Sequence, residues 1–126
     1  MTASIDAEDL ILLIGESTGP LTRVRDGTVL YSAAARPDAT IMDRVLLKDP
    51  AERVAALLHA IVRWEPLDMW NAGFGWRAAA ALASRDSLRL TVSPQDRMII
   101  VQEIRDGRLN DPAAVAERLK PFMSAR

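Results

Sequence analysis

Three helix starts in this chain share one pattern, a polar residue followed by proline, in 49-DPAE-52, 93-SPQD-96 and 111-DPAA-114. Proline suits the first helical position because its missing N–H would have no partner there, and the side chain before it accepts a bond from a free amide. Glu52, three residues after Asp49, supplies the second half of a capping box. Beyond these starts the apolar residues recur at three and four, as in Val54, Leu58, Ile61 and Val62, and again in Met98 and Val101 flanked by Ile99, Ile100 and Ile104. No segment alternates with period two for more than a few residues.

The spacing predicts helices over about 6–16, 28–36, 39–47, 50–63, 74–85, 94–105 and 112–122, with 86-DSLRLTVS-93 an extended connection at most. The Ala-rich run 78-AAAALA-83 is the expected central helix, since small side chains let neighbours approach its backbone. No repeat or linker interrupts the pattern. The expectation is therefore a single all-α domain over 1–126, of six or seven helices around that Ala-rich segment.

Composition narrows the chemistry. The chain has no cysteine, which excludes disulfides, thiolate zinc sites and a cysteine nucleophile, and one histidine, which excludes a multi-histidine metal site. The charges nearly cancel at a net of −1, leaving no field to gather nucleic acid or anionic lipid. The stretch 10-LILLIG-15 is too short to span a bilayer, and the acidic residues before it do not resemble a signal peptide. A cytoplasmic protein without metal or cofactor, binding neither nucleic acid nor membrane, is expected.

All three tryptophans fall in 63-RWEPLDMWNAGFGWRAA-79, a turn between two apolar helical runs. Glu65, Asp68 and Asn71, spaced by threes, would converge on one concavity. The amides near Gly73 and Gly75, opening a helix, would offer partial positive charge to an anion or oxyanion. Trp64, Met69, Trp70 and Trp76 would wall the cleft, with His59 one turn upstream. An indole against a carboxylate destabilises its charged form, which suits a general acid or base near neutral pH. Structural roles stand beside each of these: core packing for the tryptophans, a solvated loop for Glu65, a helix cap for Asn71, a hydrogen-bonded core ring for His59.

The stretches 24-VRDGTVLYSAAARP-37, 51-AERVAALLHAIVRWEPL-67 and 104-IRDGRLNDPAAVAERLKP-121 together resemble, in family order, the Doc (death on curing) branch of the Fic family. That family carries His-Pro-Phe or His-Pro-Leu, one variable residue, then Asp-Gly-Asn-Lys-Arg, often followed by Leu-Gly-Trp. In a gap-free register Pro66, Leu67, Asn71, Gly75 and Trp76 match. Glu65 replaces the catalytic histidine, Met69 the magnesium-binding aspartate, Trp70 the glycine, and Ala72 with Gly73 the phosphate-gripping lysine and arginine. Phosphoryl and nucleotidyl transfer depend on positioning and charge neutralisation, so such a site has little with which to hold a triphosphate.

Two expectations follow from the resemblance. In the first, the site is repurposed for metal-free acid–base catalysis on an apolar small molecule, by ring opening, hydration, dehydration or cyclisation. There Glu65 and Asp68 would be the catalytic carboxylates, Asn71 and the amides of Gly73 and Gly75 the oxyanion donors. In the second, the chain is a Doc-like toxin or pseudoenzyme acting through an antitoxin-like protein partner or a homo-oligomer. A chain acting as Doc proteins do would phosphorylate elongation factor Tu with ATP.

Overall fold

In the computed structural model, which describes residues 4–18 and 22–126, the chain runs α1 (Ala7–Thr18), α2 (Gly27–Ala35), a 3-10 turn (Arg36–Asp38), β1 (Thr40–Ile41) and β2 (Arg44–Val45). It continues through α3 (Pro50–Trp64), α4 (Asn71–Arg85), β3 (Leu88–Leu90), α5 (Pro94–Arg105), α6 (Pro112–Leu119), a second 3-10 turn (Lys120–Phe122) and β4 (Met123–Ala125). The fold is mostly helical, with two small antiparallel ribbons, so the all-α expectation holds in its coarser form.

The three polar–proline starts cap their helices as expected. Asp49 accepts from the Ala51 amide at 2.9 Å, Ser93 from Asp96 at 3.2 Å and Asp111 from Ala114 at 2.8 Å. Asp26 caps α2 in the same way, accepting from Thr28 at 3.0 Å. Each such bond is worth about 1 kcal/mol to its helix.

The central helix is α3, not the Ala-rich α4. Eleven of its fifteen residues are buried, and it packs against α2, α4, α5, α6 and the first 3-10 turn. The small residues of α4 do serve close approach, but to α3. A Cβ added at Gly75 would stand 3.1 Å from Leu58 Cδ1 and 3.4 Å from Ile61 Cγ2, so the glycine is what lets these two helices meet.

Two further expectations are corrected. Residues 39–47 do not form a helix: Thr40 pairs with Val45 and Ile41 with Arg44 across a tight turn in which Met42 and Asp43 both have positive φ, 50° and 64°. Two left-handed central residues give the backbone twist that a two-residue hairpin needs, and β-branched Thr40, Ile41 and Val45 favour the extended state on either side. The last helix stops at Leu119, before Pro121, and the chain then turns back so that β4 pairs with β3, Leu90 opposite Met123 and Leu88 opposite Ala125. The extended connection predicted at 86–93 thus has a strand partner from the C-terminal end.

One ion cluster fastens the near end of α3. Arg53, 1% exposed, donates from Nη1 to both carboxylate oxygens of Asp86 at 2.9 and 2.7 Å, and from Nη2 to Asp38 at 2.7 Å. It ties α3 to the C-cap of α4 and to the first 3-10 turn.

Candidate functional site

The turn between α3 and α4 is held almost entirely by the segment before α2. Arg25 donates from Nε to the Glu65 carbonyl and from Nη2 to the Trp64 carbonyl, both at 2.8 Å. The Pro66 carbonyl accepts from the amides of Arg25 at 2.7 Å and Asp26 at 3.2 Å, and Val24 bridges to Leu67. The Asp68 amide donates to the Arg23 carbonyl at 3.0 Å, while the Asp68 carboxylate accepts from the Arg23 amide at 3.0 Å. Arg25 was not singled out by sequence reasoning. Its only signal is its place in 24-VRDG-27, which says nothing of a partner forty residues away.

Two residues of this clamped turn have left-handed backbones. Glu65, the C-cap of α3, has φ 49° and ψ 65°, and Trp70, preceding α4, has φ 68° and ψ 21°. A non-glycine residue there costs about 1–2 kcal/mol. The clamp stabilises both.

Asn71 is not the helix cap that its structural reading expected: Trp70 holds the cap position without a side-chain bond, and Asn71 is the first residue of α4. It is buried, accepting from the Leu67 amide at 3.0 Å and donating to the Leu67 carbonyl at 3.0 Å, so both ends of its amide close the turn. α4 begins at Asn71, earlier than the predicted 74. Gly73 therefore lies in the first turn, where amides lack intrahelical partners, whereas Gly75 is the fifth residue and its amide lies within the helical ladder. An oxyanion role is open to the Gly73 amide and closed to that of Gly75.

The indoles do not share a cavity. Trp64 lies beneath the Arg36 guanidinium, 5.3 Å from its ring centroid, in a shallow cleft with Thr28, Val29 and Ser32 of α2. Trp70 is 64% exposed and Met69 beside it 47% exposed. Trp76 is buried and forms one wall of a groove of about 260 Å³ between α4 and α5, under the guanidinium of Arg97 at 5.8 Å. Trp70, exposed on a left-handed residue before α4 begins, and Trp76, buried inside that helix, have different surroundings. Glu65 and Asp68 are both exposed, and the Glu65 carboxylate has no hydrogen bond or ion pair among the described residues.

His59 is buried on α3, with Nδ1 2.8 Å from Arg36 Nη1. A guanidinium only donates, so Nδ1 is the acceptor and the ring proton sits on Nε2, which is buried without a partner among the described residues. Burial first, then the positive charges of Arg36 and Arg63, hold the imidazole pKa down to about 4, against a smaller opposing pull from Asp111. The ring is neutral at physiological pH and part of the core.

Among the described residues no group of three or more His, Asp or Glu side chains is placed to hold a metal, and no helix is long and apolar enough to cross a membrane. No family model matches the chain, and no curated protein matches it.

Proposed function

We propose that this chain is a Doc-like helical domain, acting in the cytoplasm, in which nucleotide transfer has been lost and the turn between α3 and α4 docks an antitoxin-like protein partner. The observation that carries the reading is Trp70. Its backbone, at φ 68°, is in the left-handed region that favours glycine, and glycine is the family residue at this place in the gap-free register. An indole kept there at 64% exposure contributes little to the core. A large aromatic side chain beside an exposed methionine, on a backbone already immobilised, is instead the composition of a binding hot spot that loses little entropy on association.

Calorimetry tests both halves. Magnesium-ATP should give no binding heat, and Trp70→Ala should weaken binding of the protein encoded by the adjoining gene by about thirtyfold or more, as truncating a central anchor does. Magnesium-dependent ATP binding, phosphorylation of elongation factor Tu, or a partner affinity indifferent to Trp70 would each overturn it.

A second reading, metal-free acid–base catalysis on an apolar small molecule, is favoured by the exposed, unpaired Glu65 carboxylate in the turn that leads to the first-turn amides of α4. Under it, Glu65→Gln abolishes turnover while the melting temperature stays put. Turnover that survives the substitution removes Glu65 from the mechanism.

A further inference from the structure

The groove between α4 and α5 is distinct from the turn and has its own chemistry. Its floor is Ala72, Trp76 and Val101, with Met98, 74% exposed, at the rim. Its polar groups are Arg97, Gln102 and Arg105. The two cations are uncompensated: among the described residues neither has a carboxylate at ion-pair distance, because the acids of α5 and its C-cap are engaged elsewhere. Asp96 meets the Ser93 hydroxyl, Glu103 pairs with Arg118 at 3.0 Å and Asp106 with Arg108 at 2.7 Å.

The groove is also asymmetric. Arg97 lies over Trp76, its guanidinium 5.8 Å from the ring centroid, so at this end the cation is turned onto the indole face in a cation–π contact. At the other end Arg105 is joined by Arg63, whose guanidinium donates to the Arg105 carbonyl at 2.8 Å. Ala72, in the first turn of α4, lends the partial positive charge of that helix end. Met98, Gln102 and Arg105 fall at successive turns of α5, so the stripe from rim to head is about 10 Å long. An apolar channel of that length, ending in donors and unpaired positive charge, complements an elongated apolar body with one anionic end.

We propose that this groove binds a small amphipathic carboxylate, its apolar body lying along Trp76 and Val101 and its carboxylate held by Arg105 and Gln102. The site is independent of the docking reading above, since it uses none of Met69, Trp70 or the α3–α4 turn. Bidentate pairing with a guanidinium gives the head its selectivity, and the indole and aliphatic floor give the body its affinity.

The test is a titration of the isotopically labelled full chain with sodium octanoate and with neutral octanamide, followed by magnetic resonance. Octanoate should saturate, shifting the amides of Ala72, Val101 and Gln102 and the Trp76 indole N–H, and octanamide should bind at least about tenfold more weakly. Arg105→Gln, at an exposed position, should lower octanoate affinity by about tenfold and leave octanamide unchanged, while Arg89→Gln on β3 should change neither. Melting curves of both variants check that they are folded. Equal affinity for the two ligands, shifts centred outside the groove, or no saturation by octanoate would overturn the proposal.

Discussion

Acidification should destabilise this domain through His59. In the unfolded chain the imidazole protonates near 6.5, and in the folded protein burial and Arg36 hold it down to about 4. Between those values the unfolded state carries the extra proton, so folding stability rises with pH across the interval. The contribution is therefore complete above 6.5 and is lost as pH falls towards 4. The interval spans about 2.5 pH units at about 1.4 kcal/mol each, which caps the effect at about 3.5 kcal/mol, and relaxation of Arg36 and Arg63 towards solvent brings it below that cap. The assay is urea unfolding at a series of pH values for the native chain and for His59→Gln, taking the difference. Asp9 beside Arg85, Asp26 beside the Thr28 hydroxyl and Asp106 beside Arg108 all have lowered pKa values and lose their own stabilisation at lower pH. They are present in both proteins and cancel in the difference. A difference curve that is flat between pH 6.5 and 4, or that slopes the other way, refutes the assignment of a buried neutral ring.

Three further outcomes are expected. Arg53→Ala should cost about 3–5 kcal/mol by chemical denaturation, because it leaves the nearly buried Asp86 carboxylate without its bidentate partner. Gly75→Val should cost about 1–3 kcal/mol by forcing α4 away from Leu58 and Ile61, and crystals of the variant should show that shift. Trp70→Gly should leave thermal stability unchanged or raise it by up to about 1 kcal/mol, since relief of the left-handed strain outweighs the added freedom of the unfolded chain, while partner binding is lost.

Where the sequence was legible, it was legible through local chemistry. Asp49, Ser93 and Asp111 identify their helices because a cap followed by proline is a signal complete within four residues. The hairpin was hidden because Ile41, Met42, Val45 and Leu46 imitate helical spacing, and because its turn uses Met42 and Asp43 where glycine would have announced it. The partner of β3 lies more than thirty residues away, a distance over which no local pattern reports. The alanines of α4 read as a centre when they report only close approach; centrality belongs to α3, whose neighbours arrive from four other helices. The candidate site was misread for a related reason. Clustering along the chain suggested one cleft, but Trp64 at the end of α3, Trp70 on the left-handed turn and Trp76 within α4 have three different surroundings.

The strain in that turn and its clamp are two sides of one arrangement. Glu65 and Trp70, both non-glycine and both left-handed, bracket a segment whose backbone is fixed by Arg25, Val24 and Asn71. Strained conformations persist only where their surroundings over-determine them, and here every reinforcing bond but that of the Asp68 carboxylate runs to the main chain of the turn, so the geometry survives changes at Glu65, Met69 and Trp70. A frame of this kind tolerates replacement of the side chains it presents at Glu65, Met69 and Trp70. It also separates two questions that the sequence ran together: the turn displays groups outward on a rigid edge, while a concave, positively rimmed groove lies between α4 and α5.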